Sequence, residues 1–379
     1  MASDRLQPTR WGDRLGTTLR SVFKLDPILL FFVAVIAMIG VVAGYSAAEQ
    51  SEAWVERSIV RLGLGFGLML LIAQIPQRWF FAVAPWLYAM VALMLVAVWL
   101  VGDMGGGARR WLDLGVIRFQ PAELMKVAMP MMIAWFLARR PLPPRPLDVL
   151  VAVLAVGIPT VLIAGQPDLG SSLLIMASGL FVLFFAGLSW WYLGAFVGLV
   201  IAAMPVMWFF VMHAYQKERV LTLLDPTSDP LGAGYHTIQS MIAIGSGGVW
   251  GKGWLQGTQS HLDFLPEGTT DFILAVYAEE FGLMGLLVLF LLYLAVIWRG
   301  LWIAEHAESV EGRLLAASIS MTFMVYVLVN AGMVLGLLPV VGAPLPLMSY
   351  GGTALVTIMV GLGMLMSIRT QRSFLGHNR

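Results

Sequence analysis

Ten apolar runs follow one another along the chain, at about residues 27–45, 57–75, 79–101, 121–138, 147–164, 171–187, 190–213, 271–297, 314–337 and 351–368. Each is continuous rather than alternating and predicts an α-helix, and roughly 20 apolar residues are what a helix needs to cross a bilayer. A membrane β-barrel, whose strands alternate apolar and polar positions, is excluded. The expected fold is an all-α polytopic membrane protein with about ten transmembrane helices. The runs at 147–164 and 171–187 are short, and their junction, Gly165–Gly170, is placed to dip into the membrane.

The polar intervals are unequal. Turns on one side are short, whereas 102–120 and above all 214–270 are long. A long loop inside a compact protein is usually functional or disordered. With Pro226, Pro230, Pro266 and the apolar stretch Ile238–Ile244, the second loop is too apolar for a disordered linker. It predicts short helices at the interface, packed on the bundle. The expected organisation is a tail at 1–26, a membrane domain at 27–368 that includes this loop, and a tail at 369–379, without a second soluble domain.

Composition agrees with this class. The 379 residues are 59% hydrophobic and 12% charged, with a mean hydropathy of +0.84, where a soluble domain carries about a quarter charged residues. With no cysteine, disulfides, thiol chemistry and Cys-based metal sites are unavailable. The net charge of +1 decides little, because placement of charge sets membrane orientation. Ten spans put both termini on one side. The larger share of the 23 lysines and arginines lies there, including Arg5, Arg10, Arg14, Arg20, Lys24, Arg78, Arg139, Arg140, Arg145, Arg299 and Arg313. The positive-inside rule makes that side cytoplasmic. The segment before the first run reads as a cytoplasmic tail, since no small-residue cleavage site follows that run.

The densest chemistry is His261–Glu280, HLDFLPEGTTDFILAVYAEE, which crowds His261, Asp263, Glu267, Asp271, Glu279 and Glu280 against an apolar run. Asp271 stands where polar loop becomes apolar helix, partly desolvated yet reachable from water. On a 3.6-residue period it shares a face with Ala275, Ala278 and Gly282, a small-residue strip beside which another element must lie. The plain alternative is an acid that stabilises the first helical turn, a task Thr269 and Thr270 would perform as well.

In QPAELMK (120–126), Pro121 suits a first helical turn, and Glu123 and Lys126 share a face. An ionisable pair inside a membrane helix is a functional candidate by default; the alternative is an ion pair that only fixes packing. In QPDLGSS (166–172), Asp168 is a polar plug, a partner for a base or an ordinary turn former. In GDMGGGARRWLDLGVIRFQ (102–120), the glycines and Arg109 either approach a phosphate or form a flexible turn with interfacial Arg and Trp. Arg219 stands beyond the seventh run. Lys252 lies in IGSGGVWGKGW, which lacks the ending and context of a phosphate-binding P-loop and reads as a pliable basic rim. LLPVVGAPLPLMSYGGTA (337–354) is a re-entrant lid or a rigid turn, with Asn330 and Ser349 nearby.

These charges sit high, near one face. A channel shows a ring of one sign, and a secondary transporter has ionisable groups at the midplane. The pattern here suits an enzyme acting on an amphiphile whose tail lies in lipid. Bases would hold a phosphate-like head while a carboxylate acts on a hydroxyl.

GARRWL, QPAELMK, QPDLGSS, LDPTSDPLGAGYHTIQSMIAIGSGGVWGKGW, TQSHLDFLPEGTTDFILAVYAEEFGLMG and LPLMSYGGTA, in that order, resemble the SEDS family of bacterial cell-wall polymerases over nearly the whole chain. The GTQSHLDFLPEGTTDF wording and short tails resemble its elongation branch more than its division branch. The resemblance implies a peptidoglycan glycosyltransferase that polymerises lipid II into β-1,4 glycan strands on the outer face of the bacterial cytoplasmic membrane, releasing undecaprenyl pyrophosphate. It implies that Asp271, the acidic residue of the TDFI segment, is catalytic, as general base of an inverting displacement, and carries Glu123, Lys126 and Asp168 over as substrate-site residues. Arg109, Lys126, Arg219 and Lys252 are the candidates to hold the pyrophosphate, with or without a divalent cation such as Mg2+. One departure is PEGTTDF: relatives often have a basic residue or His after the Glu, where Gly268 and Thr269 stand here. A class B penicillin-binding protein, a transpeptidase, is the implied partner, together with other elongation-machinery proteins and no nucleic acid. A lipid II flippase and a non-catalytic scaffold are the alternatives.

Overall fold

The computed structural model describes residues 25–105, 108–113, 118–212, 217, 221–223, 225, 234–261 and 267–370. Ten long helices match the ten apolar runs: α1 (Pro27–Ala47), α2 (Glu52–Gln74), α3 (Gln77–Val101), α4 (Pro121–Ala138), α5 (Pro146–Ala164), α6 (Leu169–Phe185), α7 (Trp190–Val206), α10 (Ile273–Glu305), α11 (Val310–Val334) and α12 (Gly352–Thr370). Seven of them are long and apolar enough to cross a membrane on length and composition alone. Of the other three, α2 opens in charged residues, and α6 and α7 are 17 residues each. The protein is an integral membrane protein built as a helical bundle.

The glycine-rich interval at 102–120 is not a loose turn. It contains three short antiparallel strands, β1 (Asp103–Gly105), β2 (Ala108–Asp113) and β3 (Arg118–Phe119), in the order β1-β2-β3. The long interval before α10 contains α8 (Tyr235–Gly247), which covers Ile238–Ile244 and packs on α10 and α11, and the single turn α9 (Thr258–His261). The expected tails fall mostly outside the described residues, but both inner ends belong to the bundle. Asp26, fully buried, caps α1 by accepting from the amides of Ile28 (3.1 Å) and Leu29 (3.2 Å). Its carboxylate also meets Arg299 (2.9 Å) and Arg369 (2.8 Å). Burial of Arg299 against Asp26 carries α10 eight residues past the apolar run's expected end at 297, to Glu305.

The bundle's decisive irregularity is in α10. Gly282 has φ +64° and ψ −164°, so α10 is two helical segments, 273–281 and 283–305, interrupted in the membrane. A break frees backbone groups that lipid cannot satisfy. The IGSGGVWGKGW segment closes it. Lys252 and Gly253 amides donate to the carbonyls of Glu279 and Glu280 (3.0 Å each), and the Leu283 and Met284 amides donate to the carbonyls of Gly248 (3.0 Å) and Val249 (3.1 Å). The sequence reading of a pliable rim is therefore corrected: this segment is a seated backbone strap. It also explains the small-residue strip on α10, since the end of α8 and the strap lie against Ala278 and Gly282.

Gly251 sits in this strap at φ +80°, and an added Cβ would lie 2.1 Å from the Glu280 carbonyl oxygen. Gly251→Ala is expected to destabilise the protein by about 1–3 kcal/mol through overpacking, read as a lower thermal unfolding midpoint in detergent. An unchanged midpoint would show that the strap is not seated in the break.

Candidate active site

Six residues, 267–272, form the turn that leads into α10. The amides of Thr270 and Phe272 both donate to the Glu267 carbonyl (3.1 Å each), which folds the turn on itself. The Thr270 hydroxyl donates to the Glu267 carboxylate. From α11, the buried Asn330 amide donates to the carbonyl of Asp271 (2.9 Å) and to that of Ala343 (2.9 Å). From the 337–351 peptide, the Ser349 hydroxyl donates to the Thr270 carbonyl (2.6 Å) and the Tyr350 amide to the Thr269 carbonyl (2.9 Å). The His236 ring of α8 stacks on Phe272 at 5.8 Å. The turn is thus held through its backbone by two separate elements and through the Phe272 ring by a third.

The Asp271 carboxylate is left over from all this bonding. Among the described residues no side chain or amide donates to it. The first cap position of α10 is Phe272, without a side-chain cap bond, so Asp271 is not a capping acid. Burial, then the nearby Glu267 charge, pushes its pKa up to about 6. That value suits a group that must take up a proton near neutral pH.

The other candidates are placed unequally. Glu123 and Lys126 are both buried in α4 and paired at 2.7 Å, and the Thr357 hydroxyl of α12 donates to Glu123 at 3.0 Å. Asp168 caps α6, accepting from the Ser171 amide (3.1 Å) and the Gln120 side chain (2.8 Å). That end of α6 abuts the 341–342 peptide, since a Cβ on Gly170 would lie 2.6 Å from the Val341 carbonyl. The same peptide abuts Asp271, whose Oδ2 would be 3.6 Å from a Cβ on Gly342. Asp168 and Asp271 therefore flank one strip of backbone. Lys252 pairs with the buried Glu279 at 2.6 Å. Glu279 also accepts from the amides of Thr258 (2.8 Å) and Gln259 (3.1 Å). Glu280 accepts from Ser46 and from the Leu255 amide. The two acids at the end of the dense segment thus anchor the strap. Arg109 is exposed on β2, and its neighbour Arg110 donates to the Gln166 and Pro167 carbonyls. Arg219 lies outside the described residues, as does Asp263.

Sequence reasoning named Asn330 and Ser349 but gave neither a role, and it missed Tyr350. The available signal was a lone Asn in an apolar run. Among the described residues, no group of three or more His, Asp or Glu side chains is placed to hold a metal ion. No step below uses a divalent cation. Chemically, among the described residues the site offers a held carboxylate to which nothing donates, with the capping Asp168 across the 341–342 peptide.

Comparison with known proteins places this geometry. Residues 22–374 match the cell cycle protein family of FtsW, RodA and SpoVE. The chain is 52% identical over 351 residues to the peptidoglycan glycosyltransferase MrdB of Escherichia coli, covering 93% of this chain and 95% of that one. It is 33% identical over 371 residues to a probable peptidoglycan glycosyltransferase FtsW of Geobacter metallireducens, covering 93% and 96%. Among solved structures, one chain of a peptidoglycan synthase complex that coordinates polymerization and crosslinking superposes with a TM-score of 0.78 at 33% identity. The rod shape determining protein RodA of Thermus thermophilus superposes with 0.70 at 31% identity. Each alignment covers 92% of this chain and 98% of the other.

The raised pKa of Asp271 has a consequence for stability. Between its ordinary value near pH 4 and about 6, the folded chain keeps a proton that the unfolded chain has released, so stability falls as pH rises through that window and is level above it. Asp271→Asn removes this effect. The variant's unfolding midpoint is expected to rise relative to wild type as the pH goes from about 4 to about 7. Parallel midpoints across that range would show an unstrained carboxylate.

Proposed function

This chain belongs to the FtsW, RodA and SpoVE family, and from that premise we propose that Asp271 is the general base of its glycosyl transfer. The enzyme is a peptidoglycan glycosyltransferase, as its relatives are. The substrate we assign to it is lipid II, a disaccharide carried on a polyprenyl pyrophosphate. In one inverting displacement the acceptor's 4-hydroxyl oxygen forms a bond to the anomeric carbon of the donor. The bond from that carbon to the pyrophosphate oxygen breaks, and its electron pair leaves with undecaprenyl pyrophosphate. The hydroxyl proton passes to Asp271.

One observation carries this reading. The Asp271 turn is fixed through its backbone by Asn330, Ser349 and Tyr350, while its carboxylate receives no donor from the described residues. A merely structural acid is placed the other way round, as Glu279 is here. Positioning without quenching is what general-base catalysis requires. The buried Glu123–Lys126 pair and the Asp168 cap support the reading as the wall of the substrate site.

The same proposal sets the topology. Residues 27–368 form the catalytic unit, with both tails on the cytoplasmic side and Asp271 at the outer face of the bacterial inner membrane. A structural neighbour works in a complex that joins polymerization to crosslinking. By extension, a class B penicillin-binding transpeptidase is the partner assigned to this chain, with α10, α11 and the 214–270 interval as its docking region.

The test is glycan-strand synthesis from purified lipid II. Wild type is expected to polymerise, with activity rising through an apparent pKa of about 6. Asp271→Asn is expected to lose about 10²–10⁴-fold in rate while remaining folded. A folded Asp271→Asn enzyme at the wild-type rate would end the assignment. Lipid II flipping in liposomes without polymer would favour a transporter instead.

A further inference from the structure

One cavity beside the Asp271 turn holds chemistry that none of the preceding assignments uses. It lies between α1, α2 and the 347–351 peptide, and is lined by Trp54, Ser58, Arg61, Ser349 and Tyr350 among apolar side chains. The Arg61 guanidinium carbon lies over the Tyr350 ring, 3.1 Å from its centroid. It is steadied by hydrogen bonds donated to the Arg57 carbonyl (3.1 Å) and the Ser58 hydroxyl (3.2 Å). Among the described residues no carboxylate pairs with it. Lys126 and Lys252, by contrast, are each neutralised by an acid. Trp54 packs against the same Tyr350 ring at 5.7 Å, and its buried indole N–H has no acceptor.

The cavity therefore combines a partly buried, fixed cation with hydroxyl groups, and no acid is in its lining. That donor set selects an anion, and a stacked guanidinium fork suits the oxygens of a phosphate. Its floor is continuous with the site. Tyr350 donates through its amide to Thr269, and Ser349 donates to Thr270, the two residues preceding Asp271.

We propose that the Arg61 cavity receives the pyrophosphate of the lipid-linked donor. This rests on the glycosyltransferase reading above. An inverting displacement needs the base and the departing group on opposite sides of the anomeric carbon. Asp271 takes the proton on one side, and Arg61 offsets the charge that the pyrophosphate oxygen gains as it leaves on the other. Arg61 is a binding residue that the apolar pattern of α2 concealed.

The test titrates inorganic pyrophosphate calorimetrically into the full-length protein in phosphatidylcholine nanodiscs, for wild type, Arg61→Gln and Arg61→Lys with matched unfolding midpoints. Arg61→Gln is expected to weaken binding about tenfold or more, with Arg61→Lys between the two because it keeps the charge and loses the fork. In polymerisation assays Arg61→Gln raises the KM for lipid II and leaves the apparent pKa of the rate profile unchanged. Equal pyrophosphate binding by wild type and Arg61→Gln, or none by wild type, overturns the proposal. So does a difference seen only with phosphatidylglycerol vesicles, which would make the cavity a lipid-headgroup site. If pyrophosphate binding depends on Arg61 while wild type makes no polymer, the anion site stands and the glycosyltransferase reading falls.

Discussion

A membrane offers no water to an interrupted helix, so a break in α10 exists only where other backbone fills it. The strap at 248–253 supplies that backbone, and its seating fixes what lies on either side. On its N-terminal side it sets the short segment 273–281 and, through it, the turn that carries Asp271. Behind the strap, Glu279 and Glu280 tie the loop down through Lys252, Thr258, Gln259 and Leu255. The Asp271 turn is therefore held above a helix that is broken and repaired, not above a continuous one.

The buried charges divide into two kinds. Asp26, Glu123, Asp148 and Glu279 each meet a base at ion-pair distance, and Asp168 is satisfied by Gln120 and a helix amide. Such groups settle the desolvation of one charge with another and hold helices in register. Asp271 and Arg61 belong to the second kind. Among the described residues each is held by its surroundings without an ionic partner, Asp271 largely buried and Arg61 partly so. They have opposite sign and share one hydrogen-bonded floor, the 349–350 peptide. The proposed transfer would use that arrangement, with a base to take the proton and a cation to offset the leaving anion.

Much of this was legible in the chain. Ten apolar runs gave ten helices, because the need to cover a membrane span with apolar residues is local and repeats along the sequence. Asp271 stood out since a carboxylate at a loop-to-helix boundary in so apolar a chain is rare. The pair Glu123 and Lys126 was readable because helical spacing alone brings them together. Even the small strip at Ala278 and Gly282 announced a neighbour, though not which one.

What the sequence left open was every pairing between distant segments. Lys252 looked like a free cation until the fold brought it to Glu279, and 102–120 looked loose until its strands paired. Arg61 had no assigned role until Tyr350, from the far end of the chain, came beneath it. Asn330 had no role until it met Asp271 and Ala343. Periodicity and composition determine which segments are helices and which faces are apolar, since those follow from local geometry and from solvent. Which charge is quenched and which is left to act depends on contacts between residues far apart in sequence, and only the packed bundle decides those.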